Sequence, residues 1–154
     1  MAGCRFSDSA VRLFKTAAGQ SLTVAPKLGY TIIYVADVPA TVGFYERAFG
    51  LRCRFLHESN LYAEMETGET ALAFAGEPMA EMNGLAILPN RQTEMAAGFE
   101  LAFVTDDPHT AYATAITAGA AAIAPPAEKP WGQVVAYVRD PNGCLVEICS
   151  PIGS

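Results

Sequence analysis

The feature that most constrains this chain is that it repeats itself. Residues 30–56, YTIIYVADVPATVGFYERAFGLRCRFL, and residues 100–125, ELAFVTDDPHTAYATAITAGAAAIAP, carry the same succession of signals. Each opens with a β-rich run, meets an Asp followed within two residues by a Pro, continues as a helical stretch, reaches a Gly and enters a second apolar run. Asp37 and Asp107 suit helix N-caps, and Pro39 and Pro108 fall in the first turn, where a missing N–H costs little. Val42, Tyr45 and Phe49 recur at helical spacing, as do Tyr112, Ala115 and Gly119, so each helix has one stripe to bury. Gly50 and Gly119 sit where a left-handed residue ends a helix.

Strand signals follow each helix, at 51–57, 60–66 and 70–76 in the first half and at 120–125, 133–138 and 144–149 in the second. Each half reads as βαβββ. A unit that small cannot bury its own sheet, so the two must pack together. The expected organisation is an N-terminal extension at 1–26, a first module at 27–76, a connector without clean periodicity at 77–97 and a second module at 98–151. The extension mixes Arg12 and Lys15 into a short helical pattern instead of the apolar run of a signal peptide. Either it docks as a helix with Val11 and Phe14 inward, or it stays unfolded.

Composition narrows the function classes. Of 154 residues 51% are apolar and 17% charged, which permits a packed core. The net charge of −6 argues against nucleic acid and anionic membranes, both of which need clustered Lys and Arg. No stretch approaches the ~20 apolar residues of a membrane span. Cys4, Cys53, Cys144 and Cys149 form no CxxC pair, and Cys144 and Cys149 take opposite faces of one strand. Free thiols in a reducing cytoplasm are expected.

The last strand poses the chemical question. In RDPNGCLVEICS, residues 139–150, one carboxylate stands in an otherwise apolar run. Leu145 and Cys149 share the face of Glu147, while Cys144, Val146 and Ile148 take the other, so the strand is expected to be covered on both sides. An ionised carboxylate there is costly unless something pairs with it. Asp140-Pro141-Asn142-Gly143 is a turn signal that pins the register of 133–138 against 144–149, and with it the side to which Glu147 points.

Three stretches, VADVPATVGFYERAFGL, ELAFVTDDPHTAYATAITAGA and PWGQVVAYVRDPNGCLVEICSP, stand in order over residues 27–151. Through them the chain resembles the vicinal oxygen chelate superfamily of glyoxalase I, bleomycin-resistance proteins and extradiol dioxygenases. The resemblance implies an α+β fold of two βαβββ modules whose mixed sheet curls into a cup, and a homodimer that completes it. It also implies that four inward positions hold a divalent ion in the metal-dependent members: here Tyr30, Ala73, Glu100 and Glu147. Ala73 has no ligand atom, and a tyrosine must lose a proton of high pKa to coordinate. Two carboxylates leave most of a transition-metal shell to water, so no dedicated metal or other cofactor is expected.

Glu100 and Glu147 are the candidate acid–base pair, or polar anchors for a ligand amine or hydroxyl; the plainer alternative is two strand-end carboxylates reaching water or Tyr30. Trp131 either stacks on a flat ligand at the mouth or packs over the barrel end against Pro130. Tyr137, Phe55, Tyr62 and Phe74 are candidate wall residues. His57 closes a strand and His109 lies in the first turn of the second helix, both outside the cup positions. The residues favour a dimeric cup that binds a small planar or cationic organic molecule without a complete metal site. Glyoxalase-like lyase or isomerase chemistry, through a divalent metal or Glu147 as acid or base, is the alternative, and an interaction module that keeps only the fold is the third.

Overall fold

A computed structural model describes residues 25–153. The Val11 and Phe14 expectation lies outside the described residues. The chain runs β1 (Tyr30–Val35), α1 (Val38–Phe49), β2 (Cys53–Leu56), β3 (Tyr62–Met65), β4 (Ala71–Gly76), α2 (Glu77–Met82), β5 (Glu100–Val104), α3 (Pro108–Ala118), β6 (Ala121–Glu128), β7 (Val134–Arg139) and β8 (Leu145–Cys149). Apart from α2, each half is βαβββ. The order β1-β4-β3-β2 in one sheet is matched by β5-β8-β7-β6 in the other, with β1 parallel to β4 and β5 parallel to β8.

Local chemistry explains the helix ends. Asp37 caps α1 by accepting from the Ala40 N–H at 2.9 Å, and Asp107 caps α3 through the Thr110 N–H at 3.0 Å. Gly50 and Gly119 end the two helices in left-handed conformation. The short helix α2 falls inside the stretch expected to be a plain connector. It opens at Gly76 without a side-chain cap and has Pro78 in its first turn, so the capping pattern that marks the other helices is missing.

The strands form two four-stranded sheets in place of the single curled sheet expected. β1 and β5 are inner edges with no ladder between them, and Thr31, Leu72, Leu101 and Phe103 line a crevice of about 160 Å³ there. The modules are joined by side chains. Helix α1 packs on α3, Phe49 stacks on Phe103 with centroids 4.6 Å apart, and Tyr45 touches both Phe74 and Phe103. One core results, with Tyr45, Phe44, Phe74, Val138, Val146 and Ile148 fully enclosed. On β8 the core residues Val146 and Ile148 alternate with Leu145, Glu147 and Cys149 on the face turned away from α1 and α3, where Cys149 is buried and Leu145 and Glu147 are partly exposed.

The β7–β8 turn ties the modules together. Asp140, 0% exposed, accepts from the Cys144 N–H at 2.8 Å, the Asn142 amide at 3.4 Å and the Tyr45 hydroxyl of α1 at 3.0 Å. Arg139 donates to the carbonyls of Gly143, Arg91, Gln92 and Glu94, which straps the connector onto the turn. Gly143 has φ +97°, and a Cβ there would run into the backbone of Arg91. Gly143→Ala therefore combines strain with a backbone clash and is expected to cost more than about 2 kcal/mol in urea unfolding; a loss under half of that would contradict the strap.

Burial pushes the Asp140 carboxyl above its ordinary value of 3.8, against the donors that favour its charge. A raised pKa in the folded state contributes stability that is complete below the unfolded value and is lost as pH rises through the folded one. The unfolding free energy of the wild type relative to Asp140→Asn is thus expected to fall as pH rises above the ordinary carboxyl value of 3.8. A flat or rising difference in pH-dependent urea melts would contradict this.

Candidate functional site

The faces of the two sheets turned away from α1 and α3 carry the candidate residues, and pairing register decides which meet. On the second sheet Ala102 lies opposite Glu147, which lies opposite Tyr137; Glu100 pairs with Leu145 and so is a diagonal neighbour of Glu147. The Tyr137 hydroxyl donates to Glu147 Oε2 at 2.8 Å. That hydrogen bond, then burial and the charges of Glu147 and Glu100, push the phenol up to about 12. Burial, followed by a hydrogen bond to Glu147 and the charges of the same two acids, pushes the Cys149 thiol up to about 11. Glu100, Glu147, Tyr137 and Cys149 thus form one cluster. Glu147 is half-buried, and no Lys or Arg among the described residues forms a salt bridge with it or with Glu100.

The first sheet repeats the pattern with the carboxylate moved one strand over. Ile32 pairs with Ala73 as Ala102 pairs with Glu147, so Ala73 is the positional counterpart of Glu147. Glu64 on β3 faces Ala73 in the place that Tyr137 takes in the second module. Ala73 is fully buried beneath its neighbours. Arg54 Nε donates to Glu64 Oε2 at 3.1 Å and the Tyr62 hydroxyl to Oε1 at 3.0 Å. Hydrogen bonding from Arg54 leads in holding Glu64 below the usual carboxylate range; burial, then Glu64, push Tyr62 up to about 12. Tyr30 belongs to this group by position, since it pairs with Ala71 on the face that Ala73 and Glu64 share.

Sequence reasoning missed the Arg54–Glu64 pair. The alternation in NLYAEME does place Tyr62 and Glu64 together, but Arg54 reaches them only through the irregularity between Cys53 and Phe55, which no local signal announces. Phe55 is half exposed, its ring 6.5 Å from that of Tyr62. Phe74 points to the core. No hydrogen bond, ion pair or ring contact among the described residues joins the Tyr30 group to the Glu147 group.

Trp131 stands in the β6–β7 turn, 61% exposed, with its indole N–H on Gln133 Oε1 at 3.0 Å. Its ring is open to a partner and not packed away. His57 and Tyr62, with Leu61, Met79 and Met82, line an apolar cavity of about 580 Å³ at the end of the first sheet. His57 Nδ1 accepts from the Ser59 N–H at 3.1 Å. His109 is exposed beside Asp107. Cys144 and Cys149 are buried and, like Cys53, unpaired. No group of three His, Cys, Asp or Glu able to hold a metal ion occurs among the described residues.

The paired βαβββ topology has a known counterpart. The family description "Glyoxalase/Bleomycin resistance protein/Dioxygenase superfamily" matches residues 27–148. The chain belongs to this superfamily. Among solved structures it is similar to a glyoxalase-related enzyme from Fulvimarina pelagi, at 20% identity and TM-score 0.72 over 82% of this chain and 89% of that one. A glyoxalase/bleomycin resistance protein/dioxygenase family enzyme from Burkholderia phytofirmans PsJN is 26% identical, with TM-score 0.67 over 81% and 98%. A glyoxalase/bleomycin resistance protein/dioxygenase from Nocardioides is 21% identical, with TM-score 0.66 over 86% and 87%. No curated protein matches the chain significantly in sequence.

Glu147 is a carboxylate that accepts from the Tyr137 phenol and shares its face with the Cys149 thiol. Glu147→Gln removes the charge that holds the Tyr137 proton. Its phenol is then expected to titrate closer to 10 than to 12 in NMR of ring-labelled tyrosine, and an unmoved titration would place the cause elsewhere.

Proposed function

We propose that this protein binds a small planar or cationic organic molecule on the faces of its sheets turned away from α1 and α3, as a homodimer and without a complete metal site of its own. One observation carries the reading. Glu147 is a half-buried carboxylate hydrogen-bonded by a neutral phenol, whereas Glu64, the carboxylate one strand over in the first module, already has Arg54. A half-buried charge without a counter-ion is costly, and a ligand cation removes that cost. Glu100 beside it adds charge of the same sign. The exposed ring of Trp131 supports a flat ligand body.

The donor set fits a resident transition metal poorly. Of the four superfamily positions, Ala73 has no donor atom and lies fully buried, Tyr30 offers only a phenol, and Glu100 and Glu147 supply oxygen alone. Exposed apolar side chains on the inner edge strands, Ile32 on β1 and Val104 on β5, support closure by a second copy. Unpaired thiols support a cytoplasmic setting, and no helix among the described residues is long and apolar enough to cross a membrane.

A lyase or isomerase reading keeps one specific support: Glu147 and the hydroxyl of Tyr137 stand together as a base and a proton donor on the same face. Calorimetric titration with acridine orange, a planar cation, and with neutral anthracene carboxamide separates these. The proposal expects the cation to bind more tightly and Glu147→Gln to weaken it roughly tenfold, as for loss of a charge-assisted contact. Equal affinities for both compounds, or an unchanged affinity in the variant, would refute it.

A further inference from the structure

We infer that the trough between α1 and α3, on the opposite side of the sheets from Glu147, is a second binding site for a small organic monoanion such as an apolar carboxylate. Its floor is a cavity of about 570 Å³ lined by Phe49, Phe103 and Ile148, with Thr105, Thr110 and Thr114 among its polar lining. A second cavity of about 460 Å³ shares Arg47, Thr110 and Thr114 with the first and continues along α3 to Thr117. Both volumes fall in the range of ligand pockets, which favour the seams between packed units. This seam joins the first module's helix to the second module's helix and strands.

Arg47 gives the trough its chemistry. It lies at the junction of the two cavities, yet among the described residues no carboxylate forms a salt bridge with it. Arg54 and Arg91 each have a glutamate, Arg139 is held by four carbonyls, and Arg52, like Arg47 without a salt bridge among the described residues, lines neither cavity. The guanidinium folds back along α1 over Gly43, with Nη1 3.0 Å from where a side chain at that position would begin. Glycine there leaves it a seat against the helix. Asp107 is the single acid lining either cavity, and its carboxylate is engaged by the Thr110 N–H as the cap of α3.

A cation beside an apolar floor selects an amphipathic anion, with its head on Arg47 and its apolar body against Phe49 and Phe103. β8 turns Ile148 into this trough and Glu147 to the other face, and none of Glu100, Tyr137, Glu147 and Cys149 lines the trough. The site stands whether or not the other face binds a cation.

Calorimetric titration of the full chain with octanoate, octanol and octylamine tests the assignment. Octanoate is expected to bind saturably and more tightly than the other two. Arg47→Gln should lower its affinity roughly tenfold or more, as for loss of a charge-assisted contact. Thr114→Phe, which fills the trough from an exposed helix position, should abolish binding, while Glu147→Gln leaves it unchanged. Thermal melting checks that both trough variants fold. Octanoate binding no tighter than that of octanol or octylamine, or undiminished in Arg47→Gln, would overturn the inference.

Discussion

The β7–β8 turn is the constraint on which the rest of the structure depends. Asp140 accepts a hydrogen bond from Tyr45, the fully buried tyrosine at the centre of the first module's helix. The same aspartate takes the Cys144 N–H and so helps fix the turn that sets β7 against β8. That register puts Tyr137 opposite Glu147 and turns both away from the helices. One buried carboxylate thus links inter-module packing to the placement of the candidate site. Burying it costs desolvation, which several donors offset.

Duplication supplied two equivalent frames, and the side chains within them have diverged. In the first frame the carboxylate stands on β3 and is neutralised by Arg54, beside a β4 that puts Ala71, Ala73 and Ala75 on the same face. In the second it stands on β8, with only neutral donors. The first module closes its own charge balance, and the second leaves one open. This asymmetry, more than the fold, argues for a ligand that brings positive charge. The superfamily scaffold serves many chemistries, so function has to be argued from the site.

Much of this was legible because it is local. N-cap aspartates, left-handed glycines, the Asp-Pro-Asn-Gly turn and the two-residue alternation around Glu147 are written within a few residues of where they act. The resemblance to the superfamily put Ala73 and Glu147 at corresponding places in the two halves, and the ladders pair Ile32 with Ala73 as they pair Ala102 with Glu147. What sequence missed depends on distant contacts. Arg54 reaches Glu64 through an irregular strand, Arg139 reaches carbonyls in the connector, and α2 forms without a capping side chain. The modules meet through aromatic side chains and not through a ladder between β1 and β5, and periodicity cannot distinguish those two ways of joining sheets.

The central claim is that the acids of the second module face a ligand, because the donor atoms around them are too few to retain an ion. Elemental analysis addresses it most directly, on protein produced with zinc, nickel and manganese supplied and purified without chelator. The account predicts metal far below one ion per chain, with no change in content between the wild type and Glu147→Gln. One tightly held transition-metal ion per chain, lost in that variant, would contradict it.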